Sequence, residues 1–244
     1  MEVVIFAGGT GTRLSEETNR IPKPMVEIGG IPILVHIISY YAKFGHKEFI
    51  ICGGYKVDYI KNYFSNLLRN LNDLELDFKN NNVSFINSKK FDWKIKIIDT
   101  GLNTNTAGRL KKIFKHIKGE EFMLTYGDGL SNIDIFQLES MHQNNTNIVT
   151  LSAVFPPPRF GGLNISNNQI VSFIEKPKTE FSRVNGGFMI CNSQIFNYLT
   201  NVSQSFEIDL LPLLAKDNKL GCYKHDGFWQ PMDTLRDKKY LEKL

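Results

Sequence analysis

The sequence predicts an α/β fold built on a mixed, mostly parallel sheet with flanking helices. Two observations predict it. Short apolar runs alternate with helix-period segments through the first half of the chain, the pattern of strands joined by crossover helices. Two of these runs also end in glycine-rich turns, Ala7-Gly8-Gly9-Thr10-Gly11-Thr12-Arg13 and Gly127-Asp128-Gly129. In an open α/β sheet, ligands gather at the carboxyl ends of the strands, where such turns lie.

Taken in order, Val3-Val4-Ile5-Phe6 reads as the first buried strand. Pro32 opens a helix that runs to about Phe44 and stops at Gly45. A strand is predicted over 49–52, a helix over 57–64, a strand over 95–98, a helix over 107–116 and a strand over 122–126. A helix over 133–142 and a strand over 148–155 complete the alternating half. The pattern then turns β-rich, with strands over 163–165, 170–174 and 188–191. Helices are predicted over 193–199, 206–216 and 234–243. The segment from about Asn66 to Asp92 is polar, weakly periodic and the least regular, and a connection of that length is usually functional or an interaction arm. No composition break divides the chain, so residues 1–244 are expected to form one domain.

The 244 residues are 42% hydrophobic and 22% charged, the balance of a soluble globular protein. The net charge of +4 comes from scattered lysines and arginines with no interleaved aromatic platform, which argues against a nucleic-acid partner and suits a small anionic substrate. No run reaches the roughly 18 apolar residues of a membrane span. The first residues lack the pattern of a secretory signal. Cys52, Cys191 and Cys222 show no paired spacing, so reduced, buried thiols and a cytoplasmic location are expected.

The N-terminal turn carries the strongest chemical signal. Glycines let backbone N–H groups approach a polyphosphate because no Cβ intervenes. Arg13 and Lys23, the latter inside Pro22-Lys23-Pro24, add two cations to the same mouth. A Walker A loop is excluded, because Gly11 is followed by Thr12-Arg13 instead of Lys-Ser/Thr. A dinucleotide fingerprint fails at Leu14, where a third glycine belongs. Asp128, between two glycines at a strand end, is open to a metal and a phosphate. The alternative is a turn aspartate bonded to its own backbone. Asp233 is a second metal-ligand candidate, and the alternative there is a cap on the last helix. Magnesium prefers one or two carboxylates together with phosphate oxygens and water. Glu175-Lys176-Pro177 and Asn185-Gly186-Gly187 flank a strand and could meet an acceptor, with Lys176 as a point charge for its phosphate. Thr106-Ala107-Gly108-Arg109 opens a helix whose first N–H groups could face a base or phosphate. The five histidines show no ligand spacing, and no Ser/His/Asp or Cys/His arrangement is suggested. Arg, Lys and Asp dominate instead, which fits phosphoryl-type transfer by positioning and charge.

These motifs together resemble the sugar-phosphate nucleotidylyltransferases, and among them the glucose-1-phosphate cytidylyltransferases. The likeness spans nearly the whole chain. It includes 8–14, 22–30, Asp99-Thr100-Gly101, Ala107-Gly108-Arg109-Leu110, Tyr126-Gly127-Asp128-Gly129, Glu175-Lys176-Pro177-Lys178, Asn185-Gly186-Gly187-Phe188 and 227–234. The resemblance implies a Rossmann-like, GT-A-like nucleotidyltransferase sheet and Mg²⁺, with Mn²⁺ able to substitute. It implies CTP, a small phosphorylated acceptor and release of pyrophosphate. It also implies a homo-oligomer, with the irregular arm in subunit contacts. Uridylyl and thymidylyl relatives carry a glutamine-containing base-recognition segment, and 106–109 instead matches the cytidylyl branch.

The resemblance assigns Arg13, Lys23 and Asp128 to catalysis, and Asp128 with Asp233 to the metal. Ala7, Gly8, Gly9, Thr10, Gly11, Thr12, Thr106, Gly108 and Arg109 bind the nucleotide. Tyr126, Glu175, Lys176, Asn185 and Gly186 meet the acceptor. Glucose 1-phosphate is the first expected acceptor. Phe181 and Arg183 stand where the glucose enzymes tend to be small, so a phosphorylated amino acid such as phosphoglutamine is an alternative. A nucleotide-binding regulator without catalysis is the remaining one.

Overall fold

The computed structural model describes residues 1–86, 91–157, 162–166, 169–174 and 183–244. Among the described residues the main sheet has seven strands: β1 (Val3–Ala7), β2 (Glu48–Gly53), β3 (Lys94–Asp99), β4 (Glu121–Tyr126), β5 (Val149–Val154), β6 (Val184–Asn192) and β7 (Leu220–His225). Their order is β7-β5-β6-β4-β1-β2-β3. All pairings are parallel except those of β6, which runs antiparallel to both β5 and β4. The mixed, mostly parallel sheet expected from the sequence is therefore present.

All five residues of β1 are buried, as a central strand covered on both faces requires. The period of two sorts them: Val3, Ile5 and Ala7 join one apolar layer, Val4 and Phe6 the other. Helices α1 (Ile33–Lys43) and α2 (Val57–Asn70) follow in the first half, then α3 (Thr106–Ile113) and α4 (Ile135–Gln143). The first layer receives Ile33, Leu34, Ile37 and Ile38 of α1 with Ile135 and Leu138 of α4. The second receives Ala107, Leu110 and Ile113 of α3. Two short helices, α5 (Leu211–Lys216) and α6 (Leu235–Leu241), complete the chain.

Some expectations are corrected. The helix predicted over 57–64 continues to Asn70. The described residues of the arm are more regular than expected: beyond α2 they form a hairpin of Asp73–Asp77 with Asn82–Ile86. Leu74 faces Phe85 and Leu76 faces Val83 across that hairpin, so its apolar residues alternate with Asp73, Glu75 and Asp77. Alternation over five residues is a short signal inside an otherwise polar segment. The helix predicted over 206–216 starts with a π-turn, Phe206–Leu210. Cys52 and Cys191 are buried, and burial pushes the Cys52 thiol up to about 12, but Cys222 is exposed. No helix among the described residues is long and apolar enough to cross a membrane.

Candidate active site

The chain runs outward from β1 to β2 and β3, then returns to β4 on the other side of β1. The loops that leave β1 and β4 therefore diverge, and a cleft opens at this switch point. It measures about 310 Å³ and is lined by Ala7, Gly8, Gly9, Gly11, Thr12, Arg13 and Lys23 on one side. Thr106, Arg109, Tyr126 and Asp128 line the other. Thr10 is exposed on the same loop, and Gly108 is buried in α3 beneath the cleft.

The glycine-rich turn is held from below. The Gly8 carbonyl accepts from Tyr55 N (3.1 Å) and from an Arg109 guanidinium nitrogen (2.9 Å). A Cβ on Gly8 would fall 2.1 Å from that guanidinium, so only glycine allows this approach. Gly11 has a φ of 65°, and its carbonyl accepts from Leu14 N and Thr18 Oγ1. Arg109 also donates to the carbonyls of Gly53 and Gly101 and to Thr100 Oγ1. It is 4% exposed, and its guanidinium ties the ends of three loops together behind the cleft wall.

The acidic residues meet because a two-stranded ladder brings them together. Gly129–Ser131 pairs antiparallel with Trp229–Pro231, Gly129 opposite Pro231, and Met232 N donates to the Asp128 carbonyl at 2.8 Å. Asp128 just before one strand and Asp233 just after the other then face the same space. Both carboxylates accept from one nitrogen: Lys23 Nζ lies 2.6 Å from Asp128 Oδ2 and 2.7 Å from Asp233 Oδ1. Arg13 adds a bond to Asp233 Oδ2 at 2.9 Å. Lys23 is 8% exposed, in the turn Lys23–Met25 that the flanking prolines shape. Burial works to lower its pKa, but Asp128 and Asp233 outweigh it and hold the amine above the ordinary lysine value. The cap of α6 is Thr234, in a capping box with Asp237, so Asp233 is not the cap.

Tyr126 sits deeper in the cleft, with Asn185 Nδ2 at 3.4 Å from its hydroxyl. Gly186 lies beside Asn185 on β6, and its carbonyl accepts from Trp229 Nε1 at 2.7 Å. Burial, and then the neighbouring Glu207 carboxylate, push the Tyr126 phenol far above the usual tyrosine range. Glu207 was not singled out by the sequence. Its partners Tyr126 and Thr106 lie 81 and 101 residues away, and locally it reads only as an acid in the first turn of a capped helix. Glu175, Lys176 and Phe181 lie outside the described residues. Arg183 is held elsewhere: it donates to the carbonyls of Ala153 and His225 (3.0 Å each), pairs with Asp226 and covers the Phe155 ring at 4.2 Å.

A family model described as Nucleotidyl transferase matches residues 2–237. The chain belongs to that family. The enzyme is 45% identical over 245 residues to a glucose-1-phosphate cytidylyltransferase of Salmonella typhi, covering all of this chain and 95% of that relative. It is 40% identical to a protein of Bacillus subtilis (strain 168) named a probable glucose-1-phosphate cytidylyltransferase, covering all of this chain and 96% of the relative. Among solved structures it is similar to HddC from Yersinia pseudotuberculosis complexed with GMP-PN, with a TM-score of 0.71, 25% identity and 99% and 98% of the two chains covered.

Proposed function

We propose that the enzyme transfers CMP from CTP to a sugar 1-phosphate, with glucose 1-phosphate as the acceptor, and releases pyrophosphate. The observation that carries this is the convergence of Arg13, Lys23, Asp128 and Asp233 at the mouth of a switch-point cleft. It occurs in a chain that is similar from end to end to glucose-1-phosphate cytidylyltransferases.

An acceptor phosphate oxygen attacks the α-phosphorus of CTP. The bond to the β-phosphate oxygen breaks, and pyrophosphate leaves from the opposite side. The turn over 8–12 presents backbone N–H groups to the triphosphate. Arg13, on the exposed lip of the cleft, offsets charge on the departing phosphates. Two of the three Lys23 N–H donors go to carboxylates, so the third serves a phosphate oxygen. Arg109 acts on the nucleotide through the turn that it anchors. Tyr126 and Asn185 orient the acceptor beside Gly186, with Glu175 and Lys176 assigned there by the family likeness.

Asp128 and Asp233 fit a divalent cation: two hard carboxylates already converge on a single cationic nitrogen, and phosphate oxygens and water would complete the six ligands of Mg²⁺. Bound there, Mg²⁺, or Mn²⁺ in its place, supplies further stabilisation of phosphate charge. The hairpin face of Leu74, Leu76, Val83 and Phe85 is exposed on a single chain, which supports a homo-oligomer built through this arm.

Pyrophosphate release tests the reading. With glucose 1-phosphate, CTP is expected to turn over at least about tenfold better than UTP or dTTP, a difference of about 1.4 kcal/mol. Equal rates with UTP would remove the assignment of the base. Greater efficiency with phosphoglutamine than with any sugar phosphate would remove that of the acceptor.

A further inference from the structure

One cluster of side chains at the rim of the cleft, with Thr106 and Tyr126 in its lining and Glu207 exposed beside them, has its hydrogen-bond polarity fixed by chemistry alone. A glutamate carboxylate only accepts. Glu207 Oε1 lies 2.6 Å from the Tyr126 hydroxyl, and Oε2 lies 2.7 Å from Thr106 Oγ1 and 2.9 Å from Ser205 Oγ. All three hydroxyls must therefore donate to it. Their oxygens in turn receive N–H groups: Phe206 N donates to Thr106 Oγ1 (2.8 Å), Ile208 N to Ser205 Oγ (3.1 Å) and Asn185 Nδ2 to the Tyr126 oxygen (3.4 Å). Thr106 and Ser205 anchor one oxygen of the carboxylate, and the other is aimed at Tyr126. The π-turn Phe206–Leu210 carries Glu207, and Phe206 beneath it packs edge-on against Phe6 of the cleft floor at 6.0 Å.

A phenol has one proton. With that proton directed to Glu207 and one lone pair taken by Asn185, the Tyr126 oxygen has a single lone pair and no proton left to offer an incoming molecule. We propose that Glu207 is a positioning residue for the acceptor: it fixes Tyr126 as a hydrogen-bond acceptor, so the incoming molecule must present a hydroxyl or ammonium donor to it. This rests on the assignment of Tyr126 to the acceptor side in the function proposed above. It deepens that function by naming the chemistry selected: a polyhydroxylated phosphate is welcomed, and a group bearing only lone pairs at that point is rejected.

Glu207→Gln is the informative variant. Its shape is kept, but an amide offers one acceptor oxygen in place of two, and its NH₂ group donates. Three donating hydroxyls then cannot all be satisfied, and the Tyr126 proton is turned towards the cleft. The acceptor KM is expected to rise about tenfold, and any rise in the KM for CTP, through the Thr106 hydroxyl that Glu207 also holds, is expected to be several-fold smaller. Deoxy and fluoro analogues of glucose 1-phosphate, substituted one hydroxyl at a time, supply the readout that a merely structural role would not move. For the unaltered enzyme one position should be penalised equally by hydrogen and by fluorine, since neither donates. In Glu207→Gln that penalty should fall, fluorine recovering more than hydrogen. Tyr126→Phe should raise the acceptor KM alone but add little on top of Glu207→Gln, because the two act through one contact. An unchanged acceptor KM in Glu207→Gln, or additive effects of the two substitutions in a turning-over enzyme, would overturn the assignment of Glu207 alone. Failure of the unaltered enzyme to turn over any sugar phosphate would contradict the function and this assignment together.

Discussion

Lys23 is the residue on which the site closes. Its ammonium holds Asp128 and Asp233 together, and its raised pKa keeps it charged through the whole neutral range. Asp128→Asn and Asp233→Asn each keep the shape and remove one of the two carboxylates proposed to hold Mg²⁺. Each is expected to lower the rate by about a hundredfold or more. Each should also shift the Mg²⁺ requirement upward, which separates metal binding from the simple loss of an ion pair with Lys23. Near-normal activity at ordinary Mg²⁺ would make that aspartate an ion-pair partner and not a metal ligand. Arg183 leads to the opposite expectation. Its donors hold the carbonyls of β5 and β7, so Arg183→Ala should leave the acceptor KM within about twofold and lower stability by about 1–2 kcal/mol, measured by denaturant unfolding. At this scale the sequence was legible where a residue type has one use. The glycine-rich turn, Arg13 and Lys23 read from the sequence as one mouth, and all three line the same cleft. Arg109 and Glu207 were less legible, because their roles depend on partners brought near only by folding.

Elements were legible wherever periodicity ran long enough. β1, β2, β4 and α1 follow from apolar patterning, and Pro32 marks the start of α1 as expected. The hairpin at 73–86 did not stand out, because acids on one face dilute its four apolar residues on the other. A two-stranded hairpin is marginal on its own in water, and Leu76 and Phe85 are 52% and 46% exposed on the single chain. Replacing both with lysine should shift the particle mass in light scattering to a smaller species. An unchanged mass would separate the arm from assembly. α4 carries a pH-sensitive contact. His142 Nδ1 lies 2.8 Å from Thr150 Oγ1 on β5, and burial lowers its pKa, with Glu121 opposing. Its folded value lies below the unfolded 6.5, so the unfolded chain takes up the proton first as pH falls. Stability from this group is complete above the unfolded 6.5 and is lost below it, as pH falls through the lower folded value. Thermal midpoints should fall on going from neutral to mildly acid buffer, and His142→Gln should flatten that slope.

For the whole molecule, topology makes the site. The reversal of strand order beside β1 opens the cleft, and the ladder of 129–131 with 229–231 folds the last part of the chain back over it. Ligands at a switch point follow from the α/β alternation visible in the sequence. The antiparallel β6 and the return of Asp233 to Asp128 are long-range pairings that no local pattern encodes. In the function proposed above, the cytidylyl group moves directly from CTP to a sugar phosphate. That transfer is tested by following CTP labelled at the α-phosphorus in the presence of glucose 1-phosphate and Mg²⁺. The label should appear in a CDP-linked sugar, one pyrophosphate released for each, at an efficiency of about 10⁴ M⁻¹s⁻¹ or more. Label recovered only as CMP or as unreacted CTP would contradict it.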